Sequence, residues 1–291
     1  MFVSNTFLFL GDILTRLIGT SACEIVETQI GDTNVAVVDC PGFDDSFKSD
    51  AEILTMISEL VTTQYHIGMK LWGIIFLHRI TDVRFQGSAK NVLSLFQQLV
   101  GDGALSNVVL ATTQWGKVKE EDMPAAILRE HQLRDQYWRY MLIKNSMMTR
   151  FEGNKASAEG IVAQLVGKQH VVLQLQQELV EGRRSLGKTG AGSLLRPNVD
   201  RKIRKSKDDV KRLRAELKTG VNNTRRLRIQ REIYEAEQLI SAGERDEERL
   251  GREVGADLLY KLKQVDWQKG LRIALSVLGF VVSVITLATG A

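Results

Sequence analysis

Two stretches of the sequence carry residue types whose spacing suits phosphate chemistry. The first is DCPG, residues 39–42, which fits D-x-x-G after the apolar run NVAVVD over 34–39. A carboxylate such as Asp39 can hold Mg²⁺ through water there, and the Gly42 N–H can approach a terminal phosphate with no side chain in the way. The second is GRRSLGKT, residues 182–189, which fits G-x-x-x-x-G-K-[ST]. In that loop backbone N–H groups cradle phosphates, a lysine reaches the outer ones and a hydroxyl binds Mg²⁺. Lys188 and Thr189 would fill those roles.

Each motif needs a context. A phosphate-cradling loop must be entered by a strand and left by a helix. The residues before Gly182, VVLQLQQELVE over 171–181, have a helical pattern, and GAGSLLRPN over 190–198 predicts no helix start. The match at 182–189 therefore reads as fortuitous, and Asp39 and Gly42 carry the chemistry. The plain alternative for DCPG is a strand-end turn in which Asp39 only caps a helix.

The elements that would position these residues alternate. Buried strands are expected at 34–39, 71–78 (LWGIIFLH) and 107–115 (NVVLATTQW), and helices at 53–61, 89–101, 121–149 and 156–181. Strands alternating with helices imply βαβ units and a doubly wound, mostly parallel sheet. Ligands of such sheets sit at the carboxyl ends of the strands, here Asp39, His78 and Thr112.

VDCPGFDDSFKSDAEIL, GIIFLHRITDVRFQGSAKNVLSLFQQLVGD and NVVLATTQWGKV together resemble fungal G-domain proteins related to AIG-type and septin-like GTPases. The resemblance runs from about Cys23 to Leu195, and DCPGFDD and HRITD are its most specific marks. It implies a fold of P-loop GTPase type that binds GTP or GDP with Mg²⁺. Asp39 would be the Mg²⁺-side carboxylate, acting through water, and Gly42 the γ-phosphate contact. Thr112 and Thr113 would lie in the loop that reads the base. His78 and Arg79 would follow a central strand, with packing at least as fitting a role as nucleotide contact.

The chain departs from the pattern at four places. The G-x-x-x-x-G-K-S-T-F loop should precede Asp39 by a strand and a helix, yet the only counterpart is VSNTF, with Ser4 at the lysine and Asn5 at the Mg²⁺ hydroxyl. The switch threonine falls near Ala22, beside Thr20 and Ser21. The base-reading [NT]-K-x-D becomes Thr112-Thr113-Gln114-Trp115, and an indole cannot accept bonds from guanine. Phe43 stands where Ras-like enzymes orient water with glutamine, so hydrolysis would need another group. Charge-assisted phosphate contacts contribute about 1.5–3 kcal/mol each. Nucleotide binding is therefore expected to be impaired, either in a pseudo-GTPase or through truncation of the sequence.

The rest of the chain bounds the partners. Of 291 residues, 44% are apolar and 25% charged, which suits one α/β domain with an appendage. Two cysteines, Cys23 and Cys40, exclude a disulfide framework and favour a reducing, cytoplasmic setting. His66, His78, His131 and His170 show no metal-ligand spacing. The expected division is a G-domain-like unit over 1–182, a linker over 183–198, a charged helical or coiled-coil region over 199–270 and an apolar tail over 271–291. Residues 201–231 hold 13 Lys/Arg against 3 Asp/Glu, with apolar residues recurring at Ile203, Val210, Leu213, Leu217 and Leu227, then at Ile229, Ile233, Ala236 and Ile240. Self-association through 199–265 follows from that pattern, or else a solvated helix packed on the domain. No aromatic interleaving supports nucleic-acid binding. Residues 273–291 lack charge and follow Lys261, Lys263, Lys269 and Arg272, so an apolar C-terminal helix associated with a membrane is expected, the alternative being a helix folded back onto the domain. The rival to nucleotide binding is a non-catalytic pseudo-GTPase scaffold assembled through the helical region and the tail.

Overall fold

The computed structural model describes residues 23–43, 45–83, 85, 87–264 and 282–289. The VSNTF alignment and the switch positions Thr20, Ser21 and Ala22 lie outside the described residues.

Strands β1 (Glu24–Ile30) and β2 (Thr33–Phe43) form an antiparallel hairpin. It reverses at Gly31-Asp32, where Gly31 takes φ +60°, the left-handed backbone that a two-residue hairpin turn demands. Helix α1 (Asp50–His66) leads to β3 (Lys70–Arg79), α2 (Ser88–Val100) to β4 (Val108–Thr113), and α3 (Met123–Gln132) with α4 (Arg139–Ile143) to β5 (Met147–Arg150). Then come α5 (Lys155–Ala163) and the short α6 (Gln174–Gln176), which continues as a π-helical turn over Gln177–Glu181. Two long helices, α7 (Gly190–Leu217) and α8 (Asn223–Gly251), precede α9 (Val254–Gln264) and strand β6 (Val282–Thr289).

The six strands form one sheet in the order β1-β2-β6-β3-β4-β5, and every neighbouring pair except β1–β2 is parallel. The α/β class and the mostly parallel sheet thus agree with the strand–helix alternation. The expected apolar C-terminal helix does not: residues 282–289 are a strand in the middle of the sheet, paired with β2 on one side and β3 on the other. Val282, Val284, Ile285, Thr286 and Thr289 explain the difference, because β-branched side chains favour the pleated backbone. Among the described residues no helix is long and apolar enough to cross a membrane. Two other boundaries move. The helix expected over 121–149 gives way to β5 at Met147, and the one over 156–181 breaks after Ala163.

The two faces of the sheet are covered differently. Ala36, Val38 and Cys40 of β2, Ile74 and Phe76 of β3 and Leu110 of β4 pack under α1 and α2 in one large core. Helix α1 is buried on nearly all sides, since α7, α8 and α9 lie over it. Its N-cap Ser49 accepts from the Glu52 N–H at 3.1 Å and donates to Asp246 of α8 at 2.6 Å. The charged region is therefore a third layer that shares the core of the domain through Val199, Ile203, Leu250, Val254 and Leu258. On the opposite face Val35, Ile75, Val109 and Ala111 meet Ile161, Val162 and Leu165, from α5 and the turn after it.

Helices α7 and α8 form an antiparallel hairpin, with Lys207 on Glu244 at 3.2 Å and Arg214 on Glu237 at 2.7 Å. The buried positions of α8 are Ile229, Ala236, Gly243 and Leu250, each seven residues after the last. Those of α7 include Val199, Ile203, Ser206, Val210 and Leu213. Leu227, expected in that seam, is 68% exposed. The region expected as a linker over 183–198 already contains the start of α7.

Candidate functional site

The carboxyl ends of β3, β4 and β5 lie in register: His78 pairs with Thr112, Arg79 with Thr113, and Thr112 with Arg150. The chain turns sharply after β4. Gln114 adopts a left-handed φ of 62°, and its Oε1 accepts from the Thr81 hydroxyl at 3.0 Å. This turn and the loop after β5 border an open cavity of about 530 Å³ lined by Leu77, Thr113, Gln114, Gly116, Lys117, Phe151, Glu152 and Gly153. Its size suits a small organic ligand.

The two threonines expected to read a base have different positions. Thr113 lines the cavity, and its hydroxyl donates to the His78 carbonyl at 3.4 Å. Thr112 points to the helical face and is fully buried. It accepts from the Trp115 indole N–H at 2.9 Å, and its own hydroxyl lies 3.5 Å from Glu130 Oε1. Trp115 in turn lies under the Arg150 guanidinium at 3.9 Å from the ring centroid. Arg150 donates from Nε to the buried Glu130 carboxylate at 2.8 Å, and a second bond joins its Nη2 to Glu130 Oε2. That carboxylate raises the Arg150 pKa. Thr112 and Trp115 therefore hold the loop, while Thr113 faces the cavity.

Asp39 is placed differently from the expectation. The strand does not end there but runs on to Phe43, and Asp39 pairs with Glu24 and Thr286. Through β6, Asp39 is level with Ile75 and Val109, three residues short of His78 and Thr112. At about 3.3 Å per residue this separates it from the Thr112 level by roughly 10 Å along the strands. Alternation puts Asp39 on the sheet face of Val35 and Val37, where it is exposed. Gly42 is half-buried in the irregular stretch between Cys40 and Phe43. The structure thus joins Thr113 to a cavity but does not gather Asp39, Gly42 and the two threonines into one cluster. Among the described residues no group of three His, Cys, Asp or Glu side chains could hold a metal ion. Of the side chains expected at Mg²⁺, Asp39 is the one that falls among the described residues.

His78 packs instead of facing the cavity. Its ring meets Phe85 at 5.1 Å and Trp138 at 6.2 Å, both edge-on. Burial lowers its pKa to about 4, against a raising influence from Asp82, with Arg79 adding to the lowering.

The G-x-x-x-x-G-K-T match is occupied by the protein itself. A helical segment precedes it, as expected, but α7 begins directly after it, contrary to the expectation. Thr189 is the N-cap: its hydroxyl accepts from the Gly192 N–H at 3.0 Å and donates to the Leu186 carbonyl at 2.7 Å. The Gly190 N–H donates to the Glu178 carboxylate at 2.9 Å, and Arg184 pairs with the same carboxylate at 2.9 Å. A helix N-terminus attracts an anion, and here Glu178 supplies it.

Lys117, Phe151 and Glu152 are not legible as site residues, because they fall in connections between the expected elements, where no motif or periodicity marks them. The available signal was FEGN over 151–154, a turn run followed by the helix cap at Asn154. No family model matches the chain, and no curated protein matches it.

Proposed function

We propose that this chain is a GTPase-like domain of P-loop type that binds a guanine nucleotide through its base and does not hydrolyse it. The observation that carries the reading is the cavity of about 530 Å³ at the carboxyl ends of β3, β4 and β5, lined by Thr113, Gln114, Lys117 and Glu152. Guanine offers two N–H donor groups on one edge and a carbonyl acceptor beside them. A carboxylate at Glu152 can accept from the donors, and the Lys117 ammonium can donate to the carbonyl. Trp115 replaces the usual base-reading aspartate and is engaged with Thr112 and Arg150, so Glu152 takes over the acceptor role.

The sheet order supports the P-loop reading. Strand β2, which carries Asp39, and β3 flank β6, and all three run parallel in the middle of the sheet. The phosphates have no anchor among the described residues, since the one Walker-like loop is filled by Glu178. Affinity should then depend on the base and hardly on the number of phosphates, and no step of the proposed function runs through Mg²⁺. Calorimetric titration with guanosine and its mono-, di- and triphosphates tests this: similar affinities support base-only binding, and a steep rise with phosphate number refutes it.

A second reading is a non-catalytic scaffold, favoured by Leu227 and Tyr234. They are 68% and 63% exposed, seven residues apart on one face of α8. That stripe suits self-association through the helical hairpin. Sedimentation of the full chain against Leu227→Glu/Tyr234→Glu tests it: an assembly that dissociates in the double variant supports the scaffold, and a monomer in both removes it.

A further inference from the structure

The chain has two cysteines, and the fold brings them together. Glu24 pairs with Asp39 across the β1–β2 hairpin, so the next step of the same register sets Cys23 opposite Cys40. Their sulfurs lie 3.5 Å apart. Directly opposed residues of an antiparallel pair have Cα atoms about 4.5–5.5 Å apart. A disulfide accepts about 4.4–6.8 Å, so the bond can close without moving the strands. Cys40 is 4% exposed and belongs to the core under α1, whereas Cys23 is only half-buried at its edge.

We propose that Cys23 and Cys40 are a peroxide-responsive modification site that closes to an intramolecular disulfide, with Cys23 as the attacking thiol and Cys40 as the resolving one. This stands apart from the nucleotide reading and holds with or without it. The environments divide the roles. The hydrogen bond with Cys40 lowers the Cys23 pKa, outweighing burial and the nearby Asp39. The same contact raises the Cys40 pKa well above the ordinary value, and burial adds to the rise. Cys23 is half-buried at the edge of the core whereas Cys40 lies within it, so peroxide reaches Cys23 first.

The oxidant is hydrogen peroxide. The Cys23 thiolate attacks one peroxide oxygen; an S–O bond forms, the O–O bond breaks, and the leaving hydroxide takes the proton lost by Cys23 as water. The Cys40 sulfur then attacks the Cys23 sulfenic sulfur. The S–S bond forms, the S–O bond breaks, and hydroxide leaves with the Cys40 proton as a second water. Two thiols are oxidised by two electrons and one peroxide is reduced to two waters. The closed bond pins β1 to β2 beside Asp39 and Gly42.

The test is peroxide treatment of the full chain under native conditions, an alkylating quench and intact-mass measurement. The expected product is a monomer that has lost the mass of two hydrogens, takes up no alkylating agent, yields a linked peptide pair containing Cys23 and Cys40, and reverts with dithiothreitol. In Cys40→Ser, Cys23 should accumulate as a sulfenic acid trapped by dimedone. In Cys23→Ser, Cys40 should react about tenfold more slowly or less. Two free thiols after treatment, disulfide-linked dimers, or Cys40 reacting first would each overturn the proposal. The peptide map of the unmodified sequence decides the matter even if Cys40→Ser fails to fold.

Discussion

At the scale of single residues, a motif describes a backbone shape but not what fills it. Residues 182–189 have the glycines, the lysine and the hydroxyl of a phosphate loop, and the helix after them has the right polarity. Its anion is Glu178, bonded to the Gly190 N–H. Lys188 is exposed, so Lys188→Ala should leave guanine-nucleotide affinity unchanged by calorimetry, and a tenfold loss would reinstate the loop. Thr189→Ala, in contrast, removes an N-cap and should cost about 1 kcal/mol by urea denaturation. His78 gives a pH test. Its pKa falls from 6.5 to about 4 on folding, so the unfolded chain binds the proton more readily over that interval. Stability from the neutral ring is therefore complete above about pH 6.5 and is lost as pH falls toward 4, up to about 3 kcal/mol. Chemical denaturation between these pH values should show the loss, and His78→Phe should flatten it. The position of Thr112 and Thr113 at the end of a strand is legible in the sequence, but the split between them is not. Adjacent strand residues face opposite ways, and only the sheet tells which way is the helical face.

Elements were legible where one pattern dominated. The strands at β3 and β4 are apolar runs bounded by turn residues and appear close to their expected limits, whereas β2 runs on past Asp39 to Phe43. Strand β5 is only MMTR, four residues on the sheet edge, too short for periodicity to separate from a helix end. Residues 282–289 differ from the expected helix because absence of charge is common to apolar helices and central strands, and β-branching separates the two. Proline at 284 separates the two identities. Val284 pairs with Val37 and Gly73 in the middle of the sheet, where proline removes a ladder bond. Val284→Pro should abolish cooperative unfolding of the full chain by circular dichroism; an unchanged transition would show that β6 is dispensable. The helical hairpin gives a second element-scale test. Gly243 lies against Ile203, and an added Cβ would come within 2.5 Å of its Cγ1. Gly243→Ala gains about 1 kcal/mol of helix propensity yet should destabilise on balance, because overpacking costs about 1–3 kcal/mol. Net stabilisation in urea would show that the two helices are not packed this closely.

At the scale of the whole molecule, the charged region reads in sequence as an appendage but packs as a layer. Arg249 pairs with Glu52 at 3.0 Å and Arg252 with Glu59 at 2.9 Å, fixing α8 and its exit to α1. Composition leaves a coiled coil and a helix packed on the domain both open, and the second is found: the basic residues lie on the outer surface, while the few apolar ones face inward. The cavity at the ends of β3, β4 and β5 then opens from a domain whose central strand comes from the far end of the chain. That cavity is the proposed base-binding site, without a phosphate anchor among the described residues. Its most direct test is calorimetric titration of the full chain with GDP, with and without EDTA, beside Gly116→Phe. Gly116 lines the cavity and has open space around an added Cβ, so phenylalanine should fill the site without straining the fold. The account predicts saturable binding weaker than about 1 μM, equivalent to about −8.2 kcal/mol, insensitive to EDTA and lost in Gly116→Phe. Absence of binding, or submicromolar binding that EDTA removes and Gly116→Phe retains, would contradict it.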